Sequence, residues 1–287
     1  MTEERGPDKP AAGLYVVATP IGNAADLSPR AAGVLAGADM ILAEDTRRAG
    51  LLLKRLGIAG NRFVSFHDHN EAERLPQVLG HLRAGGSAAL VSDAGTPLLS
   101  DPGYRLVGAC REEGIRVSPV PGPCSFVAAL SAAGLPPQPF VFLGFLPRSA
   151  GDVRKTLAPF AALPATLAFF ERKSRLAASL GLAHEVLGER TVCVARELTK
   201  VHEEFILGEL SALARDCPDV LGEITVLVGP PRAPGEASED DIEAVLAEEA
   251  ARGGKPREVA RRAAARLPGT TAKELYGRLA AAASRKP

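Results

Sequence analysis

No apolar run in this chain approaches the length needed to cross a bilayer, and the opening stretch MTEERGPDKPAAG is polar with no apolar core segment. The sequence therefore predicts neither a signal peptide nor a membrane anchor, and a cytoplasmic location. Cysteine is sparse: Cys110, Cys124, Cys193 and Cys217 never form a Cys-x-x-Cys pair, which argues for reduced thiols and against a zinc site. No G-x-G-x-x-G follows the first predicted strand and no G-x-x-x-x-G-K-[ST] occurs anywhere, so NAD, FAD, ATP and GTP bound in their standard modes are disfavoured. Net charge is absent too, with 34 bases against 34 acids.

That balance hides an asymmetry. Between Glu236 and Glu249 lie seven acids and no bases, whereas from Arg252 onward ten bases face only Glu258 and Glu274. Such a basic segment is suited to a polyanion.

What the chain does have is a loop chemistry. The run AALVSDAGTPLLSDPG, Ala88 to Gly103, reads as a short buried strand that empties into small, turn-forming and acidic residues. Ser92, Asp93, Gly95, Thr96 and Pro97 offer backbone that a ligand can approach closely, one carboxylate and two hydroxyls. Asp101 is expected to cap a helix with Pro102 at its first position. From Gly13 to Val120, strand candidates at Leu14–Ala18, Asp39–Ala43, Arg62–Phe66, Ala88–Val91 and Arg116–Val120 alternate with amphipathic segments. The pattern predicts an α/β fold with a mainly parallel sheet, whose ligands lie beyond the carboxyl ends of the strands. A second α/β unit follows, with strands at Phe140–Leu143, Thr166–Phe170, Thr191–Arg196 and Glu223–Val228. After the Pro-rich PPRAPGEAS, three short helices are expected, the last capped by Thr270 or Thr271, and their arrangement suits a helix-turn-helix. The expected division is a disordered tail over 1–12, α/β domains over 13–122 and 123–230, and a linker with a basic helical, RNA-contacting segment over 231–287.

The segments LYVVATPIGNAADLSPRA, AEDTRRAGLLL, FHDHNE, ALVSDAGTPLLSDPGYRLV, VPGPCSFVAALSAAGLP, FLGFLPR, ARELTKVHEE and GEITVLV, in this order, closely resemble the ribosomal RNA small subunit methyltransferase I family, a branch of the tetrapyrrole methylase-like, class III S-adenosylmethionine methyltransferases. The resemblance covers roughly residues 13 to 285. One departure is Ala18, where the family commonly has Pro. The resemblance implies two α/β domains of the tetrapyrrole methylase type with S-adenosyl-L-methionine held in the cleft between them, usually in a homodimer. It also implies 2'-O-methylation of a cytidine ribose in 16S ribosomal RNA, near the decoding site of the small subunit. Carried over position by position, it assigns the cofactor to Pro20, Asp93, Ala94, Gly95, Thr96, Ser125 and Phe126, with Phe170, Ala195 and Thr225 from the second domain.

A ribose hydroxyl is a poor nucleophile while protonated, so a base or a cation is expected beside it. Lys200, Glu197 and Asp45 are the catalytic candidates, with Glu44 also on the cleft loops. Arg47, His67, His69, Arg261 and Arg262 are the expected substrate contacts. Plainer roles stand beside these: Asp45 as a helix cap, Lys200 with Glu197 as a surface ion pair, Asn70 with Glu73 as a capping box. His67 and His69 have no third ligand spaced to complete a metal site, so no metal is expected. Two rival functions fit the same residues, methylation of a small tetrapyrrole and a non-catalytic RNA-binding assembly factor.

Overall fold

A computed structural model of the protein describes residues 9–59, 62–232, 237 and 239–283. Most of the predicted disordered tail, residues 1–8, lies outside the described residues, as do most of the linker (233–236 and 238) and the bases Arg285 and Lys286.

The first sheet is built from β1 (Gly13–Val17), β2 (Met40–Ala43), β3 (Arg62–Ser65), β4 (Ser87–Val91) and β5 (Val117–Val120), in the order β3-β2-β4-β1-β5. Every pairing in it is parallel, as the βα alternation predicts. Successive side chains point to opposite faces. Leu14, Met40, Leu42, Ala88 and Leu90 therefore pack on α3 (Glu71–Arg83) and α4 (Tyr104–Glu112). Tyr15, Val17, Ile41, Ala43, Ala89 and Val91 face α1 (Pro29–Gly37) and α2 (Thr46–Arg55). One local expectation holds, Asp45 capping α2 by accepting the Arg47 N–H at 2.9 Å; Ser28 caps α1 in the same way, accepting the Ala31 N–H at 3.1 Å.

Two others do not. Asp101 and Pro102 precede α4 rather than open it; the helix starts at Tyr104 after Gly103, whose φ of 118° only glycine adopts readily. The Asp101 carboxylate is thereby released from any capping role. Asn70 and Glu73 form no capping box, because the Asn70 carboxamide oxygen turns back to accept the His67 N–H at 2.8 Å.

The second sheet comprises β6 (Phe140–Phe145), β7 (Thr166–Glu171), β8 (Thr191–Arg196), β9 (Glu204–Glu209) and β10 (Ile224–Val228), ordered β6-β7-β10-β8-β9. It is mixed: only β6 and β7 run parallel. One face, with Leu167, Phe169, Val192, Val194 and Val226, packs on α6 (Ala150–Leu157) and α7 (Lys173–Leu187). The other, with Ala168, Cys193, Ala195 and Leu227, packs on α5 (Ser125–Ala132) and takes in Ile21 from the loop after β1. The edge strand β9 and the short α8 (Leu210–Arg215) had no clear signal in the sequence, since the apolar positions of β9 are half-buried or, at Leu207, exposed.

Beyond the linker, α9 (Glu239–Ala251), α10 (Pro256–Ala264) and α11 (Ala272–Ala283) pack around Ile242, Leu246, Ala260, Ala263, Leu267 and Leu275. Thr271 caps α11 in a capping box, its Oγ accepting the Glu274 N–H at 3.3 Å while the Glu274 carboxylate accepts the Thr271 N–H at 2.9 Å. No helix among the described residues is long and apolar enough to cross a membrane.

Candidate functional site

The loops at the carboxyl ends of β1 and β4 are stitched together. Thr19 and Gly95 exchange backbone hydrogen bonds at 2.8 and 3.0 Å, and the Thr96 hydroxyl donates to the Pro123 carbonyl at 3.0 Å. Gly95 stands at φ 81°, and a Cβ there would sit 3.3 Å from Ile21. A third loop closes over them from the second sheet. Gly22 lets the Lys200 stem approach so closely that a Cβ would lie 2.5 Å from Lys200 Cγ, and the Asn23 N–H donates to Thr199 Oγ1 at 3.0 Å.

Between the two sheets these loops leave a cleft of about 370 Å³, within the size range of small-ligand sites. One wall is apolar, with Ile21, Phe126, Leu198 and Phe170. Phe142 backs that wall, its ring stacked on Phe126 at 4.2 Å and edge-on to Phe170 at 5.0 Å. The polar complement comes from Thr96, Ser125 and Thr225 and from four acids, Asp93, Asp101, Glu171 and Glu223, against Arg172 and Lys173.

Of the residues expected to hold the cofactor, Asp93, Ala94, Gly95, Thr96, Ser125, Phe126, Phe170 and Thr225 line this cleft. Pro20 is buried and does not line it, whereas its neighbour Ile21 does. Ala195 is fully buried among the side chains packed on α5 and does not reach it. Alternation does not separate them, since Ala195 is in register with Thr225, and Thr225 with Phe170, on one face; the difference is that Ala195 is covered by the cluster of Phe126 and Ala129. Asp101, Glu171 and Glu223 line the cleft although sequence reasoning did not place them there. The signal for Glu171 and Glu223 was available, since Glu171 directly follows the predicted strand that ends in Phe170 and Glu223 opens the predicted strand that carries Thr225.

The catalytic candidates are all held in ion pairs. Lys200 Nζ donates to Glu197 at 2.9 Å and to Glu223 at 3.0 Å. Burial acts to lower the Lys200 pKa, but the two carboxylates outweigh it and the net shift is upward, which keeps the ammonium charged. Its bond to Lys200 lowers the Glu197 pKa in turn. Asp45, besides capping α2, grips the Arg47 guanidinium, and these bonds hold its carboxyl down at about 2. Asp93 accepts from Arg48 at 2.9 Å and from the Asp45 N–H at 3.2 Å. The His67 and His69 rings meet edge to face at 6.0 Å, and no group of three or more His, Cys, Asp or Glu able to hold a metal occurs among the described residues.

The basic segment is less basic than its composition. Arg252, Arg262 and Arg266 converge on Glu249, whose side chain is 1% exposed, and Arg278 pairs with Glu239. Arg262 is thus consumed inside the bundle. Arg261 is exposed and has no such partner among the described residues, and Arg257 lies over the Tyr276 ring at 5.6 Å.

Residues 13–214 match the family model described as tetrapyrrole (corrin/porphyrin) methylases. Ribosomal RNA small subunit methyltransferase I of Mesorhizobium japonicum is 48% identical over 272 residues, covering 93% of this chain and 90% of the relative. The protein of the same name from Mycobacterium tuberculosis is 44% identical, covering 92% and 93%. The chain belongs to this family. Among solved structures, the methyltransferase CobJ superposes with a TM-score of 0.59 at 22% identity, covering 78% of this chain and 97% of that one. Uroporphyrin-III C-methyl transferase from Thermus thermophilus, complexed with S-adenosyl homocysteine, gives 0.55 at 21% identity, covering 76% and 97%.

The protein is a methyltransferase of the tetrapyrrole methylase fold, and its methyl donor is S-adenosylmethionine. The residues present fit that group. A flat aromatic base suits the wall of Ile21, Phe126 and Phe170, and a sulfonium and an ammonium suit a cleft in which four acids outnumber two bases. A Cβ at Gly222 would lie 1.9 Å from Glu197, so backbone there closes on the cavity without a side chain.

Proposed function

We propose that this methyltransferase adds a methyl group to the 2'-hydroxyl of a cytidine ribose in 16S ribosomal RNA, in the decoding region of the small subunit. We propose further that it acts as a cytoplasmic homodimer and that its C-terminal helices contact the RNA. The names of the relatives matching more than nine-tenths of the chain support the RNA substrate. The observation that carries the chemistry is the acid-rich, loop-built cleft between the sheets.

When bound, the cofactor supplies an electrophilic methyl on a positively charged sulfur. The chain's own work is then alignment: Thr96, Ser125 and the backbone around Gly95 are fixed by the Thr19 and Pro123 bonds, so the reacting groups meet in a preset geometry. Lys200, kept charged by Glu197 and Glu223, is suited to stabilise negative charge developing on the ribose oxygen and unsuited to remove its proton. For the RNA, the free face of α10 with Arg257 and Arg261 replaces the whole basic segment as the expected contact. That segment also speaks against the small-tetrapyrrole reading, which needs no polyanion-binding appendage.

The test is reconstitution from purified components. Protein, S-adenosylmethionine and small-subunit RNA should together yield 2'-O-methylcytidine. Cofactor binding without ribose methylation would refute the assigned reaction.

A further inference from the structure

The loop that joins β4 to α4 holds two non-glycine residues in the left-handed region, Leu98 at φ 72° and Ser100 at φ 73°. Such a conformation costs of order 1–3 kcal/mol per residue and persists where the surroundings enforce it, commonly at functional sites. Here it turns Leu99, Ser100 and Asp101 toward the cleft. Gly144 seats the turn, where a Cβ would come 3.1 Å from Ser100 Oγ.

The four cleft acids are not equivalent. Asp93 is paired with Arg48 at 2.9 Å, Glu223 with Lys200 at 3.0 Å, and Glu171 with Arg175 at 3.6 Å while also accepting from the Ser179 hydroxyl. Among the described residues Asp101 has no cationic partner. It faces instead the carboxylates of Glu44, Asp68 and Asp93 at the ends of β2, β3 and β4, with the Ser92 hydroxyl beside it, Arg48 held by Asp93, and His67 near Glu44. Burial first, and the Glu44 charge next, push its carboxyl up to about 6. A carboxylate of that basicity is ionised at neutral pH and takes a proton more readily than a salt-bridged one.

We propose that Asp101 is the proton acceptor of the methyl-transfer step. The assignment rests on the ribose methylation proposed above. In that step the ribose O–H bond breaks with its proton passing to an Asp101 carboxylate oxygen. The oxygen-to-methyl bond forms, and the methyl-to-sulfur bond breaks with its electron pair staying on sulfur, which leaves a neutral thioether. Asp101 then returns the proton to water.

The experiment uses the full chain, S-adenosylmethionine, and small-subunit RNA from cells lacking the protein, with Asp101→Asn and Asp101→Glu beside wild type. The expected result is a kcat at saturating S-adenosylmethionine lower by about 10²-fold or more in Asp101→Asn, with partial recovery in Asp101→Glu. Wild-type kcat should rise through pH 6, and that limb should vanish from the residual Asp101→Asn activity. Independently of activity, carbon-13 NMR of labelled aspartate should show a carboxyl titrating near 6 that is missing from Asp101→Asn. Asp101→Asn with kcat within threefold of wild type, a loss confined to cofactor affinity, or an Asp101 carboxyl titrating near 4 would each overturn the assignment. Wild-type protein that binds the cofactor yet methylates no ribose overturns the functional reading itself, and the proton-acceptor role with it.

Discussion

Replacing Asp101 by Asn should make the protein more stable at neutral pH, and the gain should shrink as the pH falls. The carboxyl is raised from 3.8 to about 6 by burial and by the Glu44 charge. The folded chain therefore binds this proton more tightly than the unfolded chain. Stability contributed by the neutral form is complete below about pH 4 and is lost as pH rises to about 6, after which the ionised group is a constant liability. One pKa unit corresponds to about 1.4 kcal/mol, so the full shift is worth roughly 3 kcal/mol at pH 7 to 8, an upper figure because solvent and ions screen a half-buried group. In a chain of this size that is roughly 5 °C of melting temperature. Asn cannot ionise and nearly preserves shape, so it removes the liability. Thermal melts of both proteins between pH 4.5 and 8 check this: the variant should melt higher at pH 8, and the curves should converge toward pH 4.5. A variant less stable than wild type at pH 8, or a gap that widens on acidification, would refute the assigned environment of Asp101.

Asp93→Asn should weaken S-adenosylmethionine binding and release Arg48, which calorimetry and the salt dependence of binding would register; unchanged affinity would place the cofactor away from this loop. Gly222→Ala should lower cofactor affinity at least tenfold, because the new methyl collides with Glu197 and φ there is 89°; normal binding would show that the Glu197–Lys200 cluster moves freely. Arg257→Glu with Arg261→Glu should weaken RNA binding and flatten its salt dependence without altering the melting temperature, whereas Arg262→Gln should lower the melting temperature of the C-terminal helices. Equal effects of the two changes on RNA binding would contradict the division between free and paired arginines.

The parallel first sheet was legible because its strands are short apolar runs bounded by Pro and Gly signals, and each ends in a loop of small or polar residues. The loop of Asp93 to Thr96 that lines the cleft was legible for the same reason: it carries chemistry on backbone that can approach a ligand. What the sequence hid was set by long-range geometry. Ala195 and Thr225 sit on neighbouring strands of one sheet, yet α5 covers the first while the second reaches the cleft. Asp101 looked like a helix cap because Ser-Asp-Pro is a common helix start; the left-handed turn at Leu98 and Ser100 and the delay of α4 to Tyr104 depend on packing against Gly144 and Leu90. The basic segment misled by composition, since the acids of α9 fold back onto the arginines of α10 and its flanks.

We propose that this chain methylates a cytidine ribose in the RNA of the small ribosomal subunit. Nucleoside mass spectrometry of 16S ribosomal RNA from cells lacking the protein tests it most directly. The expected result is the loss of one 2'-O-methylcytidine, restored by the wild-type chain and not by Asp101→Asn. An undiminished set of ribose methylations would contradict it.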